Sequence, residues 1–359
     1  MTLPGRLGIR YPLILAPMAG GPSTPLLAAA VSEAGGLGSY GAAYLAPAKL
    51  RDEIRAIQAL TKKPFAINLQ IDDGVAATPA QLEAAQRALA PFRTALGLPK
   101  ASAPPPHGPW RALFEVVVEE KAPVFSFCYG VPPPGVLDAC RRAGLFTLGT
   151  ATCVAEARAL EDAGVDAVCA QGSEAGGHRG TFDRDADPPL IGTMALVPQL
   201  VDAVRVPVVA AGGIMDGRGV AAALALGADA VSLGTAFLLC PEAGTSAPWR
   251  AALKAARDDA TVITRAFSGR AARGLANRFT REMSAAALAP YPVQNALTRE
   301  IRAAALRAGD SGCLSLWAGQ AAALARELPA RELVEQLMRE AYSILPNLRP
   351  PARSPMPEA

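Results

Sequence analysis

Short apolar runs alternate with segments of helical periodicity along most of the chain. Residues of the helical segments repeat their apolar positions every three or four residues, which is the spacing of one buried helix face. Because helices of this length cannot connect the strands of antiparallel hairpins, the pattern predicts parallel strands. The predicted strands lie at residues 13–16, 37–40, 64–70, 124–129, 146–149, 166–170, 206–214 and 227–239. The helices predicted between or after them lie at residues 24–34, 47–60, 134–143, 152–163, 193–204 and 217–226.

The number of strands favours a closed (β/α)8 barrel (TIM barrel) of the α/β class. Glycine-rich loops follow several different strands, as they do at the carboxyl rim of such barrels. An open doubly wound sheet would show the same alternation, but its nucleotide loop usually follows the first strand as GxGxxG. Here the first strand is followed by PMAGGPS, which lacks that spacing.

Two segments depart from the barrel pattern. Residues 72–121 predict an insertion after strand 3, with helices at residues 78–96 and 110–120 and a proline-rich loop between them that holds His107. From residue 259 onward, helices at residues 268–279 and 331–345 are expected to form a cap over the barrel mouth. The predicted organisation is a barrel over residues 1–258, a helical cap over residues 259–346 that contributes to the mouth of the active site, and a flexible tail over residues 347–359.

Composition excludes several classes of protein. The chain has 359 residues, of which 51% are apolar and 19% charged, and its net charge of +3 comes from scattered basic residues. We therefore expect a compact protein that binds no nucleic acid. No apolar run is long enough to span a membrane or to act as a secretory signal, which predicts a cytoplasmic protein. The six cysteines form no CxxC pair, so neither a metal site nor a disulfide framework is expected.

The loop at residues 170–182, AQGSEAGGHRGTF, follows predicted strand six and carries one of two histidines, His178. Its glycines would let the backbone approach a ligand closely. The polar residues among them are Gln171, Glu174, His178 and Arg179. The loop is interpreted as one that binds a cofactor or a substrate. The alternative is a tight turn in which His178 caps a neighbouring element.

The loops after predicted strands seven and eight, AAGGI at residues 210–214 and SLGTAF at residues 232–237, form a second signal. In barrels these loops commonly bind a phosphate group through backbone N–H groups and a helix N-terminus. Glycines at strand ends can also merely shorten turns, but the pair of loops is more specific than either one. The sequence therefore predicts a bound phosphate.

Several motifs together resemble the nitronate monooxygenases, formerly called 2-nitropropane dioxygenases, and in particular their bacterial class I group. They are APMAGGPSTPLLAAAVSEAGGLG, INLQ, AQGSEAGGHRG, VVAAGGI, ALGADAVSLGTAF, SGRAARGLANRF and YPVQN, and they extend from about Pro12 to Asn295. The resemblance implies a barrel that binds FMN.

The resemblance also implies roles for individual residues. His178 would be the catalytic histidine, and Cys128 would line the substrate pocket, although some relatives carry His or Thr where this chain has Cys128. In the helical cap, Tyr291 and Trp317 are further candidates for the pocket lining, with core packing as the favoured alternative for aromatics in such a cap. The phosphate of FMN would be held by the glycines of the two phosphate loops and by Thr235. The residues expected to contact FMN are Met18, Ala19, Asn68, Gln171, Gly176, Gly177, Gly212, Gly213, Ser232, Leu233, Gly234 and Thr235.

The implied activity is the FMN-dependent oxidation of alkyl nitronates, such as propionate 3-nitronate, by O2. The products would be a carbonyl compound and nitrite or nitrate, formed through one-electron transfer to the flavin. His178 would hydrogen-bond the nitro oxygens, or take an α-proton from a neutral nitroalkane. The partners would be the nitronate and O2, for a monomer or homodimer without a metal.

Two alternatives remain open at this point. An FMN-dependent NAD(P)H reductase, acting on an enoyl thioester or a quinone, would carry a similar EAGGH loop. A flavin or phosphate binder without catalytic activity is the other, and the histidine expected at the flavin ring argues against it.

Overall fold

The main sheet is a barrel of eight parallel strands. The computed structural model describes residues 2–101, 110–183 and 187–345. Within them the strands are β1 (Leu13–Leu15), β2 (Gly38–Gly41), β3 (Phe65–Gln70), β4 (Val124–Cys128), β5 (Phe146–Ala151), β6 (Ala167–Gln171), β7 (Gly177–His178), β8 (Val208–Ala211), β9 (Ala230–Leu233), β10 (Thr261–Thr264) and β11 (Ala272–Leu275). The barrel order is β1-β9-β8-β6-β5-β4-β3-β2.

A parallel bridge between Ile14 and Leu37 links β1 to the start of β2. There the N–H of Leu15 donates to the carbonyl of Leu37, and the N–H of Leu37 donates to that of Leu13, both at 2.9 Å. These bonds bring the two ends of the sheet together. The prediction of a (β/α)8 barrel is confirmed.

Most helices begin where the sequence predicts. They are α1 (Leu3–Leu7), α2 (Pro25–Glu33), α3 (Pro47–Leu60), α4 (Pro79–Ala95), α5 (Trp110–Glu119), α6 (Val136–Ala143), α7 (Val154–Ala163), α8 (Thr193–Ala203), α9 (Gly217–Ala225), α10 (Ala247–Lys254), α11 (Arg278–Glu282), α12 (Val293–Leu297), α13 (Arg299–Arg307) and α14 (Ala330–Ile344). Thr78 and Gln81 form a capping box at the start of α4. No helix in the described ranges combines the length and apolarity that a membrane span requires.

The amino-terminal end of the barrel is closed by α1, which the sequence analysis did not predict. Leu3 and Leu7 of α1 are buried in one cluster with Ile9. Strand residues of the same cluster come from or adjoin every barrel strand, namely Ile14, Leu37, Ala66, Val124, Leu148, Ala167, Val209 and Ala230. This layer fills the barrel interior, so a ligand site is left to the carboxyl rim.

The insertion after β3 consists of α4 and the segment leading to α5. Leu89 and Phe92 of α4 pack in a second core with Phe267, Phe279 and Ile301, which all lie beyond residue 259. The insertion therefore packs against the C-terminal third. His107 and the residues around it lie outside the described residues, as does the expected tail at residues 347–359.

The structure corrects the expected position of the helix at residues 331–345. It forms α14, which packs against α9 and α2 on the outer wall of the barrel instead of over the mouth. Leu333 and Leu337 belong to the main barrel core. At Gly217 of α9 an added Cβ would lie 2.2 Å from the Cβ of Glu340, which shows how closely the two helices approach. The helix thus occupies the position of the eighth outer helix.

The helix expected over residues 268–279 is also wrong. Residues 272–275 instead form β11, which pairs antiparallel with β10 and with the short β7. Backbone pairing to two neighbours outweighs the helical spacing of this segment, since strand propensity depends strongly on context. The helix predicted at residues 152–163 begins two residues later, at Val154 of α7. Cys153 precedes it without a side-chain cap, and the N–H and hydroxyl of Thr152 donate to Glu156.

Candidate active site

A cavity of about 210 Å³ opens at the carboxyl ends of the barrel strands. The loops after β1, β6, β8 and β9 and the end of β3 all contribute to it, because parallel strands end at the same rim. It is lined by His178 and by each residue expected to contact FMN: Met18, Ala19, Asn68, Gln171, Gly176, Gly177, Gly212, Gly213, Ser232, Leu233, Gly234 and Thr235. The structure thus brings together residues that are far apart in the sequence.

One end of this cavity is built from backbone. Gly212 and Gly213 adopt φ of 117° and 72°, a region that side chains rarely occupy. Among the described residues, the N–H groups of Gly213, Gly234 and Thr235 donate to no protein acceptor. Such free N–H groups beside a cavity are the donors that a phosphate needs. The residues present therefore fit the phosphate of a flavin mononucleotide.

The loop after β6 is held in place by Gln171. Its Oε1 accepts from the N–H of Gly180 at 2.8 Å, and its Nε2 donates to the carbonyl of His178 at 3.0 Å. Glu174 anchors the same loop to the start of α8, where the N–H and the hydroxyl of Thr193 both donate to its carboxylate. Glu174 therefore positions the loop, and its carboxylate is engaged away from the imidazole.

His178 is fixed by a strand from the C-terminal third of the chain. It pairs with Ala272 of β11, and its Nε2 lies 2.8 Å from the Oγ of Ser268. Ser268 Oγ donates to the carbonyl of Arg270 at 3.0 Å. Because a hydroxyl has one proton, this arrangement places a proton on Nε2 and leaves Nδ1 with a lone pair.

The imidazole is held neutral. Burial, followed by the positive charges of Arg270 and Arg302, lowers the pKa of His178 to about 3. Arg270 is buried, with its guanidinium carbon 3.6 Å from the centre of the Tyr129 ring. Its Nη1 lies 3.4 Å from Asp72, and its Nη2 donates to the carbonyl of Thr181. The positive field of these arginines favours an anion beside His178.

Comparison with known proteins decides the family. The family model for nitronate monooxygenase matches residues 3–340. The chain belongs to the nitronate monooxygenase family. A probable nitronate monooxygenase of Staphylococcus aureus strain MSSA476 is 42% identical over 343 residues, covering 94% of this chain and 96% of the relative.

Two solved structures share this fold with the family member described here. Nitroalkane oxidase from Streptomyces ansochromogenes has a TM-score of 0.89 and 44% identity, covering 95% of this chain and 98% of that one. FabK from Thermotoga maritima has a TM-score of 0.75 and 32% identity, covering 97% and 98%. The full-length similarity makes this chain an oxidoreductase of a flavoenzyme family.

Of the two residues expected in the substrate pocket of this family member, one lines the cavity and the other does not. Cys128 lines the cavity, and burial raises the pKa of its thiol to about 12, so the thiol stays protonated. Tyr291 is 1% exposed and does not line the cavity. Its hydroxyl donates to Oε1 of Gln70 at 2.6 Å, and its ring lies 6.0 Å from that of His178. Tyr291 therefore packs near the ring of His178 as a buried residue outside the cavity lining.

Several lining residues were missed or undervalued by the sequence analysis. Trp317, for which core packing was favoured, lines the cavity with its ring 5.4 Å from His178. Gly319 donates its N–H to Thr235 Oγ1 at 2.9 Å, which ties the C-terminal segment to the phosphate loop. Tyr129 has a left-handed backbone with φ of 81°. Its buried hydroxyl has no hydrogen-bond partner among the described residues. The available signal for Tyr129 was its position at the carboxyl end of the predicted strand at residues 124–129.

Proposed function

We propose that this chain is an FMN-dependent nitronate monooxygenase, which oxidises alkyl nitronates with O2 to a carbonyl compound and nitrite or nitrate. One observation carries the proposal: a neutral, half-buried imidazole lines the same cavity at the barrel rim as several backbone N–H groups that have no acceptor among the described residues. The family to which the chain belongs and the names of its relatives support it.

The barrel residues would hold the cofactor. The N–H groups of Gly213, Gly234 and Thr235 would bind the phosphate, and Asn68 and Gln171 would face the more polar parts of the ring system. Bound there, FMN would accept electrons from the nitronate and react with O2. Residues 1–258 would supply this site, and the segment from residue 259 to α13, with the loop that follows, would supply part of its rim.

The protein's own contribution is to bind and orient an anionic substrate. The field of Arg270 would stabilise the negative charge of a nitronate in a cavity where water screens it little. The hydroxyl of Tyr129 lacks a protein partner among the described residues. We propose that this hydroxyl donates a hydrogen bond to a nitro oxygen of the substrate. The edge of the His178 ring would contact the substrate at its α-carbon and hold it in place.

The state of His178 favours a nitronate over a neutral nitroalkane. A base with a pKa of about 3 takes an α-proton weakly. A substrate that arrives already deprotonated needs no such step. We therefore expect kcat/KM for a nitronate to exceed that for the corresponding nitroalkane.

Purified protein tests this function directly. It should be yellow, release FMN on denaturation, and consume O2 when propionate 3-nitronate is added without NADH. His178→Ala should keep its flavin and lose activity about 100-fold or more, as expected for a group that holds the substrate in its reactive position. Rapid bleaching by NADH without nitronate turnover would instead identify an NAD(P)H-dependent reductase. A colourless protein that binds no FMN would refute the proposal.

A further inference from the structure

A second, larger cavity adjoins the active site and is not needed for a small nitronate. Its volume is about 840 Å³, within the range of roughly 300–1,000 Å³ in which proteins bind ligands of moderate size. The two cavities share Ala19, Tyr44, Trp249 and Trp317 as lining residues. A molecule whose reacting end lies beside His178 could therefore extend past these aromatic side chains into the second cavity.

The walls of this second cavity are mainly apolar. They come from the loop after β2, from the insertion and from α12. Their apolar residues include Ala43, Leu45, Val75, Ala76, Ala77, Leu82, Leu113, Val293 and Ala296. Surfaces of this kind bind an alkyl chain through the hydrophobic effect.

Two arginines of α13 give the cavity an uncompensated positive charge. Arg299 and Arg302 line it and are one helical turn apart, so they lie on the same side of α13. Arg302 Nη2 donates to the backbone carbonyl and to Oδ1 of Asn295, at 2.9 and 2.8 Å. Its Nε is buried and has no hydrogen-bond partner among the described residues. Because Arg302 lines the cavity, its positive charge favours an anion there.

The nearby carboxylates are engaged elsewhere. Glu300 binds Arg93 at 2.6 Å. Asp73, the acidic residue among the described lining residues, binds Arg111 at 2.5 Å. No described carboxylate forms an ion pair with Arg299 or Arg302.

We propose that the second cavity binds the tail of the substrate, an alkyl chain that ends in a carboxylate. Arg302 and Arg299 receive the carboxylate, the apolar walls cover the chain, and the nitronate end lies beside His178. This inference rests on the proposed function for the identity of the reacting end, but the tail site can be measured without turnover. The apolar walls favour an alkyl chain over a nucleotide as the occupant, and competition with NADPH tests that choice.

The first experiment measures binding to the flavin-loaded protein by calorimetry, with decanoate as the probe and decan-1-ol as its uncharged counterpart. Wild type should bind decanoate more tightly than the alcohol. Arg302→Gln should weaken decanoate binding about 10- to 100-fold, the effect of losing a charge-assisted hydrogen bond. Ala76→Phe, a change at an exposed wall position, should weaken both ligands by filling the cavity. Arg307→Gln is the matched control, because Arg307 is exposed and does not line the cavity.

The second experiment compares turnover of two nitronates, that of 1-nitrodecane and that of its ω-carboxylate analogue. Wild type should show the higher kcat/KM for the carboxylate. Arg302→Gln should reduce the ratio of the two values about 10-fold or more, mainly through KM, whereas Arg307→Gln should preserve it. Equal values in wild type, or an unchanged ratio in Arg302→Gln, would overturn the tail site.

The outcomes separate this proposal from the proposed function. Decanoate binding that depends on Arg302, in a protein that oxidises no nitronate, would support the anion site and refute the nitronate function. Nitronate oxidation without any Arg302-dependent binding of decanoate would support the nitronate function and refute the anion site. If NADPH competes with decanoate and Arg302→Gln abolishes bleaching of the flavin by NADPH, the cavity is a nucleotide site and the tail proposal is wrong.

Discussion

The loops of the barrel rim and the C-terminal wall of the active site are built in different ways. The rim loops follow barrel strands directly, so the strand ends fix where Gly213, Gly234 and Gln171 lie. The wall consists of residues such as Ser268 and Trp317 that lie outside the barrel strands. The comparison indicates that barrel topology forms the part of the cavity proposed to bind the cofactor, whereas the wall sets the environment of His178.

The largest effect on FMN affinity is expected from a substitution at the contact between the rim loops and the C-terminal wall. At Gly176 an added Cβ would lie 2.5 Å from the N of Gly319 and 2.6 Å from the carbonyl carbon of Ala318. Gly176→Val should therefore push the wall away from the rim. Overpacking costs about 1–3 kcal/mol, which corresponds to a loss of FMN affinity of about 5- to 150-fold, measured by flavin fluorescence titration.

The neighbouring Gly177 provides the control. An added Cβ there meets no atom within 4 Å, although φ is +78°. Gly177→Ala should cost only the backbone strain of about 1–2 kcal/mol. If Gly177→Ala weakened FMN binding and Gly176→Val did not, the idea that FMN affinity depends on the contact between rim and wall would be wrong.

The second effect concerns the pH dependence of stability. The pKa of His178 is about 3 in the folded protein and about 6.5 when unfolded. Between these values the unfolded chain holds a proton that the folded chain lacks, so stability is lost as pH falls. Between pH 6.5 and 5, the flavin-saturated wild type should lose about 1.5 kcal/mol more free energy of unfolding than His178→Asn, measured by urea denaturation. Equal losses would mean that the imidazole titrates normally.

The smallest effect is expected for kcat when the hydrogen bond between the wall and His178 is removed. Ser268→Ala removes the hydroxyl 2.8 Å from Nε2, a bond worth about 0.5–1.5 kcal/mol. We expect kcat to fall about 3- to 10-fold and the pH profile of kcat/KM to shift, with FMN affinity unchanged. Ser284→Ala, at an exposed position of the same segment, should match wild type. Weaker FMN binding with an unaltered pH profile would assign Ser268 a structural role only.

The sequence predicts the barrel well because its elements carry local signals. Residues 47–60 form α3 as expected, since Pro47 suits a first helical turn and Leu50, Ile54 and Ile57 form one buried face. The position of α14 was not predictable in this way. Its apolar face indicates burial but does not specify which partner covers it.

The wall was harder to predict for a related reason. β11 has four residues, and two of them, Ala272 and Gly274, carry little or no side chain. Its pairing with β7 joins segments far apart in the sequence, and no local pattern specifies such a pair. Trp317 and Gly319 approach the cavity through an irregular loop, where periodicity gives no information about the direction of a side chain. The roles of the rim residues remain predictions until the flavin is measured.

The position of α14 has a consequence for how this protein matures. The helix that covers the groove between α2 and α9 is synthesised only after all eight barrel strands and the wall have been synthesised. A nascent chain that has reached α13 would expose the apolar residues that Leu333 and Leu337 later bury. Completion of the barrel therefore has to wait until α14 has been synthesised, and before that point chaperones would have most reason to bind.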